Sequence, residues 1–186
     1  MRRALDLARK AKGRTSPNPM VGAVVVKNGK IVGEGYHKKA GLPHAEVGAL
    51  NKAGKLARGA QLFVNLEPCC HLGRTPPCTE AIIKSGIKNV FVGMGDPNKL
   101  VGGKGIRALK KAGIKVEIGI LKADCQRLNE VFVKHVRTGL PFVMLKSALS
   151  LDGKTATATG VSQWITGPQA RKLVHEIRDE VDAVMV

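Results

Sequence analysis

Apolar residues recur along this chain with two different periods. Over Arg2 to Lys12 they fall at Ala4, Leu5, Ala8 and Ala11, the spacing of one helical face, and the pattern stops at Gly13 ahead of Ser16-Pro17-Asn18-Pro19. A helix and then a loop are predicted there. Two apolar runs follow, Val21 to Lys27 and Lys30 to Gly35, separated by Asn28-Gly29. That dipeptide readily takes the positive φ angles of a tight hairpin turn, so the runs are predicted to pair. Beyond them the periods alternate: a helix over about 45–55, a strand over Gln61–Leu66, a helix over about 78–85, a strand over Asn89–Val92, a helix over about 103–111, a strand over Lys115–Ile118 and a helix over about 122–136. This rhythm predicts a three-layer α/β/α domain with the sheet between helices.

A second unit is expected to begin near Gly139-Leu140-Pro141. Phe142 to Leu149 reads as a strand, Pro168 to Glu180 as a helix, and Asp182 to Val186 as the opening of another strand at which the chain stops. The expectation is therefore a domain over residues 1–138 and the truncated start of a second α/β domain over 139–186.

Composition narrows the class. The 186 residues are 44% hydrophobic, and no apolar run approaches the roughly 18–20 residues of a membrane helix, which predicts a soluble protein without a membrane partner. Met1 to Lys12 is charged throughout and lacks the apolar stretch of a secretory signal, so the expected compartment is the cytoplasm. Four cysteines, two of them adjacent, then point to metal or redox chemistry in place of a disulfide frame. The net charge of +17 invites a nucleic-acid reading, but its distribution weakens it. Residues 1–60 carry 13 basic against 3 acidic side chains, residues 61–120 carry 9 against 4, and residues 121–186 carry 9 against 7. The lysines are dispersed and only 3% of residues are aromatic, so base stacking has little to work with; a phosphate-bearing small substrate fits the surplus better.

The candidate chemistry lies in His44-Ala45-Glu46 and in the block Glu67-Pro68-Cys69-Cys70-His71-Leu72-Gly73-Arg74-Thr75-Pro76-Pro77-Cys78. One imidazole and two thiolates make a three-ligand zinc site, the donor count of a catalytic rather than a closed structural zinc. Each motif alone is common: a lone His-Ala-Glu reads first as a surface or capping sequence. Both together, each opening a predicted helix, favour the metal. Cys70 is the rival of Cys69 as ligand, and Cys125 reads as core. Glu46, two residues after His44, is placed to handle protons in a hydrolytic deamination, taking one from water, passing one to a ring nitrogen and helping to protonate the departing ammonia. Asn18 between prolines and Asp96-Pro97-Asn98 after a strand are also good turn chemistry. Gly102-Gly103-Lys104-Gly105 lacks the spacing of a phosphate-binding loop.

Ser16-Pro17-Asn18-Pro19-Met20-Val21-Gly22, His44-Ala45-Glu46 and the Pro68-Cys69 to Pro77-Cys78 block together resemble the bifunctional deaminase/reductase family of riboflavin biosynthesis, over essentially the whole chain. The resemblance implies a cytidine deaminase-like fold for residues 1–138 and the beginning of a dihydrofolate reductase-like fold after it. It implies deamination of a diaminopyrimidinone bearing a phosphoribosylamino group, with Zn²⁺ on His44, Cys69 and Cys78 and Glu46 as the proton carrier. Asn18 and His37 are implied near the pyrimidine, His71 and Arg74 near the phosphoribosyl group, and Asp96 and Asn98 on the substrate. In the second unit it implies Ala148 and Trp164 against NADPH and Ser162 and Arg178 against the sugar phosphate, although half a cleft is not expected to bind that cofactor well. A homo-oligomer is a further implication. Cys70 departs from the small polar residue expected there. Two rival readings are a deaminase of tRNA adenosine, free nucleosides or cytosine, against which the eight residues between Cys69 and Cys78 argue, and a non-catalytic zinc module that binds nucleic acid.

Overall fold

The hairpin forms at Asn28-Gly29. Strands β1 (Gly22–Lys27) and β2 (Lys30–Tyr36) pair antiparallel, and the two turn residues take φ angles of 50° and 76°. The computed structural model describes residues 1–72, 76–99 and 101–186. Ahead of the hairpin lies helix α1 (Arg2–Arg9), which ends before the expected Lys12 and continues as turns.

After the hairpin the chain runs through α2 (Ala45–Ala53), a short 3₁₀ turn (Gly54–Ala57), β3 (Gln61–Leu66), α3 (Cys78–Ser85), β4 (Asn89–Met94), α4 (Lys104–Lys111) and β5 (Lys115–Ile118). The sheet order is β2-β1-β3-β4-β5. β1 and β3 are antiparallel, with Val25 opposite Leu62, whereas β3, β4 and β5 are parallel, with Val64 opposite Val92 and Phe91 opposite Glu117. Parallel neighbours require crossover connections, and α3 and α4 supply them.

Alternation along each strand divides the core between two faces. Ala23, Val25, Leu62, Val64, Val90 and Val92 pack with Ala45 and Ala49 of α2, Ile82 of α3 and Leu109 of α4. On the other face, Ala4 and Leu7 of α1 cover Val24, and Cys125 joins Leu5, Leu66 and Met94. The expected three layers are therefore present, and each fully buried Val, Leu or Ile contributes about 1.5–3 kcal/mol. α2 lies unusually close to β2: a Cβ on Gly35 would overlap the carbonyl oxygen of Ala45, so glycine is what lets the start of α2 rest on the sheet.

Two expectations are corrected. The helix expected over 122–136 is two helices, α5 (Lys122–Leu128) and α6 (Glu130–Thr138), broken at Asn129, whose φ and ψ of −110° and 24° leave the helical region because its side chain is used elsewhere. The strands expected over Phe142–Leu149 and Asp182–Val186 do not form. A strand exists by virtue of a ladder, and neither segment has a partner strand among the described residues.

Backbone contacts divide the chain into units Met1–Pro141 and Phe142–Val186. The second contains helix α7 (Pro168–Glu180), with Pro168 at its first position, where its missing N–H costs nothing. Among the described residues no helix is long and apolar enough to cross a membrane.

Candidate functional site

Carboxyl ends of neighbouring parallel strands and amino ends of the helices around them are where open α/β sheets gather ligands. Here the carboxyl end of β3 leads into Glu67-Pro68-Cys69, that of β4 into Gly95-Asp96, His44 caps the start of α2, and Cys78 begins α3. Three donors from three segments converge: the ligating atoms of His44, Cys69 and Cys78 lie within 4.8 Å of one another. His44 Nδ1 is 3.1 Å from Cys78 Sγ and 3.5 Å from Cys69 Sγ. On a tetrahedral zinc, nitrogen and sulfur ligands sit roughly 3.6 Å apart, so the donor set and its spacing fit that ion. Among the described residues Cys70 is not part of the cluster, which separates the adjacent cysteines.

Two thiols and an imidazole packed together reshape one another's protonation. The Cys78 thiol, hydrogen-bonded to Cys69, holds the Cys69 thiol down at about 4, with help from His44 and from the Cys78 backbone N–H, which donates to Cys69 Sγ at 3.4 Å. Cys78, sharing that proton and buried, is pushed upward, and His44 is raised by its bond to Cys69. A negative charge is thus already favoured at the position where a cation would sit. Glu46, in the first turn of α2, is 3% exposed, and burial raises its carboxyl to about 7, with the Cys69 charge adding to the rise. A group of that kind exchanges protons readily near neutrality.

Of the other expected residues, His37 packs against the cluster and Asn18 against His37. His37 is buried, and its ring stands edge-on to His44 at 5.3 Å between centroids. Its Nδ1 faces the Pro43 carbonyl at 3.4 Å, which can only accept, so Nε2 accepts from the Asn18 amide at 3.1 Å. Burial lowers the pKa of His37, favouring the neutral ring that this arrangement requires. Asn18 is thereby oriented by a histidine 19 residues away. Asp96 Oδ1 accepts the Asn98 backbone N–H at 2.8 Å, so Asp96 does build the turn it could have built for structural reasons alone. Burial, and then the nearby Glu67, raise its carboxyl; His71, exposed, acts in the opposite sense from close by. Arg74 lies outside the described residues. In the second unit Trp164 is 69% exposed with the Arg171 guanidinium 4.5 Å above its ring, Ala148 is half-buried, and Ser162 and Arg178 are exposed.

Sequence reasoning gave no role to three buried polar residues. Asn129 accepts from the Met20 N–H at 2.8 Å and donates to the Met20 carbonyl at 3.0 Å. Asn65 of β3 donates to the same carbonyl at 2.9 Å and accepts from the Gly22 N–H at 2.8 Å. The two amides clamp the segment that carries Asn18. Glu67 accepts from the backbone of Asp96, Gly103 and Ile106. The available signal was polarity out of place: Asn65 within an apolar strand, Asn129 amid a helical pattern and Glu67 immediately after a strand.

Comparison with known proteins gives this geometry its class. Residues 1–94 match the family described as the cytidine and deoxycytidylate deaminase zinc-binding region, and residues 141–186 match the RibD C-terminal domain. The site is that of a zinc-binding deaminase domain. The riboflavin biosynthesis protein RibD of Aquifex aeolicus is 57% identical over all 186 residues, which cover 52% of its length. The chain therefore belongs to the cytidine and deoxycytidylate deaminase zinc-binding family, is similar along its whole length to RibD proteins, and spans about half the length of the curated relatives it matches. Among solved structures it is similar to a diaminohydroxyphosphoribosylaminopyrimidine deaminase/5-amino-6-(5-phosphoribosylamino)uracil reductase of Thermotoga maritima, with TM-score 0.91, 49% identity, and 97% of this chain and 52% of that one covered. It is also similar to the Rib2 deaminase of Aspergillus oryzae, with TM-score 0.59, 26% identity, and 70% and 89% covered.

Proposed function

We propose that the first unit catalyses the hydrolytic deamination of a diaminopyrimidinone carrying a phosphoribosylamino group, within a longer protein whose other half is an NADPH-dependent reductase. The observation that carries the reading is the convergence of His44, Cys69 and Cys78 beside buried Glu46, in a chain 57% identical along its whole length to a riboflavin biosynthesis protein. His44 Nδ1, Cys69 Sγ and Cys78 Sγ would hold the zinc. When bound, zinc lowers the pKa of a coordinated water toward about 7 and so supplies a nucleophile at neutral pH.

The side chains do the rest. Glu46 takes a proton from water and passes it to the ring nitrogen next to the carbon that loses its amino group. The water oxygen bonds to that carbon, and Glu46 then carries the remaining hydroxyl proton to the amino group as the C–N bond breaks, so water and the aminopyrimidine become a carbonyl and ammonia. Asn18, held by neutral His37, presents its remaining amide groups to the pyrimidine. Asp96 and Asn98 receive the substrate at the end of β4, and His71 and Arg74 serve its phosphoribosyl end, where cationic donors suit a phosphate.

We assign residues 1–138 to the deaminase and 139–186 to the start of the reductase. For the latter, Ala148 and Trp164 are assigned to NADPH and Ser162 and Arg178 to the sugar phosphate. Their exposure, and the engagement of Trp164 with Arg171, do not amount to a cofactor cradle within residues 142–186, and no reductive step is derived from them. A charged phosphoribosyl intermediate does not cross membranes freely, which supports a cytoplasmic location. Homo-oligomeric assembly is part of the same proposal.

The test is Glu46→Gln. Zinc should remain near one per chain, while ammonia release from the phosphoribosyl pyrimidine falls by about 10²–10⁴-fold. Retained turnover overturns the proton-carrying role, and faster ammonia release from cytidine or tRNA than from the phosphoribosyl pyrimidine overturns the substrate.

A further inference from the structure

The geometry points to Glu67 as a positioning residue that holds the Asp96–Asn98 turn in its substrate-receiving place against the cysteine turn. The inference rests on the reading above, in which Asp96 and Asn98 contact substrate. Glu67 is 3% exposed, and among the described residues no lysine or arginine forms an ion pair with it. Among the described residues its carboxylate is met by main-chain donors: Oε2 accepts from the N–H groups of Asp96 at 3.2 Å and Gly103 at 3.0 Å, and Oε1 accepts from Ile106 at 3.1 Å.

Those three donors belong to two different structures. Asp96 opens the turn after β4, whereas Gly103 caps α4 and Ile106 lies in its first turn, where unpaired amides and the helix dipole both favour an anion. The backbone N–H of Glu67 in turn donates to the Met94 carbonyl at 2.9 Å, the last residue of β4. One residue thus joins the end of β4, the Asp96 turn and the start of α4, two positions before the zinc-ligating Cys69.

The neighbouring glycines fit this role. A Cβ on Gly105 would overlap the Pro68 carbonyl oxygen and crowd Glu67 Oε1, so α4 can settle onto the cysteine turn only with glycine there. In the run 102–105, which does not have the form of a nucleotide loop, this close approach accounts for Gly105, while Gly103 takes a positive φ of 75°. No other side chain substitutes well. Glutamine has the length but turns an NH₂ toward at least one of the three N–H groups, and aspartate keeps the charge but is one methylene short.

The experiment uses Glu67→Gln in the whole chain. Zinc is expected to stay near one per chain, KM for the phosphoribosyl pyrimidine to rise about 10-fold or more, and kcat to stay within about 3-fold, the pattern of lost binding away from the reacting atoms. Because Glu67 acts through the turn, adding Asp96→Asn to Glu67→Gln should raise KM by less than about 2-fold further. Leu109→Ala, which loosens α4 from its core side without touching the carboxylate, should leave KM unchanged. A wild-type KM in folded Glu67→Gln, an equal rise in Leu109→Ala, or loss of zinc overturns the proposal. If Glu67→Gln does not fold, Glu67→Asp is read by the same assays with the same expected rise. Should the wild-type chain release no ammonia from the phosphoribosyl pyrimidine, the functional reading fails separately. Amide exchange at Asp96 and Gly103 then still decides, since both must exchange faster in the variant if Glu67 holds them and at the wild-type rate if it does not.

Discussion

Leu62 and Val64 on β3 are fully buried, whereas Val143 and Leu145, on an apolar run that reads much like β3, are 77% and 93% exposed. The difference is in neighbours. β3 lies between β1 and β4, which satisfy its backbone on both edges, and helices cover both faces of the sheet. Residues 142–149 have no such ladder, and α7 buries none of its residues. An apolar pattern is therefore a capacity for burial, realised only where other segments supply both hydrogen bonds and a covering layer. The contrast extends to chemistry. Each candidate zinc donor in the first unit stands at the end of a packed element, while Ser162 and Arg178 in the second are exposed.

The sharpest way to break this contrast is to truncate the same residue type in both runs. Leu62→Ala should cost about 2–5 kcal/mol in denaturant unfolding, because it opens a cavity that its surroundings only partly fill. Leu145→Ala should change stability by less than about 0.5 kcal/mol. A comparable loss at Leu145 would mean that residues 142–149 are buried in solution. A smaller effect is expected at the edge of the first unit's packing: Asn129→Ala removes both side-chain bonds to Met20 and should cost about 1–3 kcal/mol. It should also raise KM, since the loosened segment carries Asn18, and an unchanged KM would separate the clamp from the site.

The smallest effect concerns the surface of that unit. Arg3 grips Glu34 through two bonds of 2.6 and 2.8 Å, and this hydrogen bonding holds the Glu34 carboxyl below its ordinary range. A depressed carboxyl contributes stability that is present above its unfolded pKa and lost as pH falls through the folded one. Arg3→Ala should therefore lower the melting temperature slightly at pH 7, with the difference fading in acid and in high salt, as melts across pH and ionic strength will read.

Much of the first unit was legible because its signals are local. Asn28-Gly29 dictates a hairpin through its own backbone preferences, and the 3.6 and 2.0 periods mark elements whose ends moved by only a few residues, as in α1 and β4. His44, Glu46, Cys69 and Cys78 were legible as chemistry, because those residue types at those spacings have few other uses together. The break at Asn129 was not, because the partner that pulls its side chain out of the helical pattern, Met20, is 109 residues away.

By itself, then, the sequence determined the order and kind of the elements through β5 and the residue types from which a metal site can be built. Tertiary structure alone decided that Cys69 and not Cys70 meets His44, that Glu67 ties the Asp96 turn to α4, and that residues 142–149 join no β-ladder among the described residues. The reason is one of range. Backbone propensity and side-chain period act over a few residues, whereas ligand convergence, buried hydrogen bonding and strand pairing depend on which distant segments arrive at the same place.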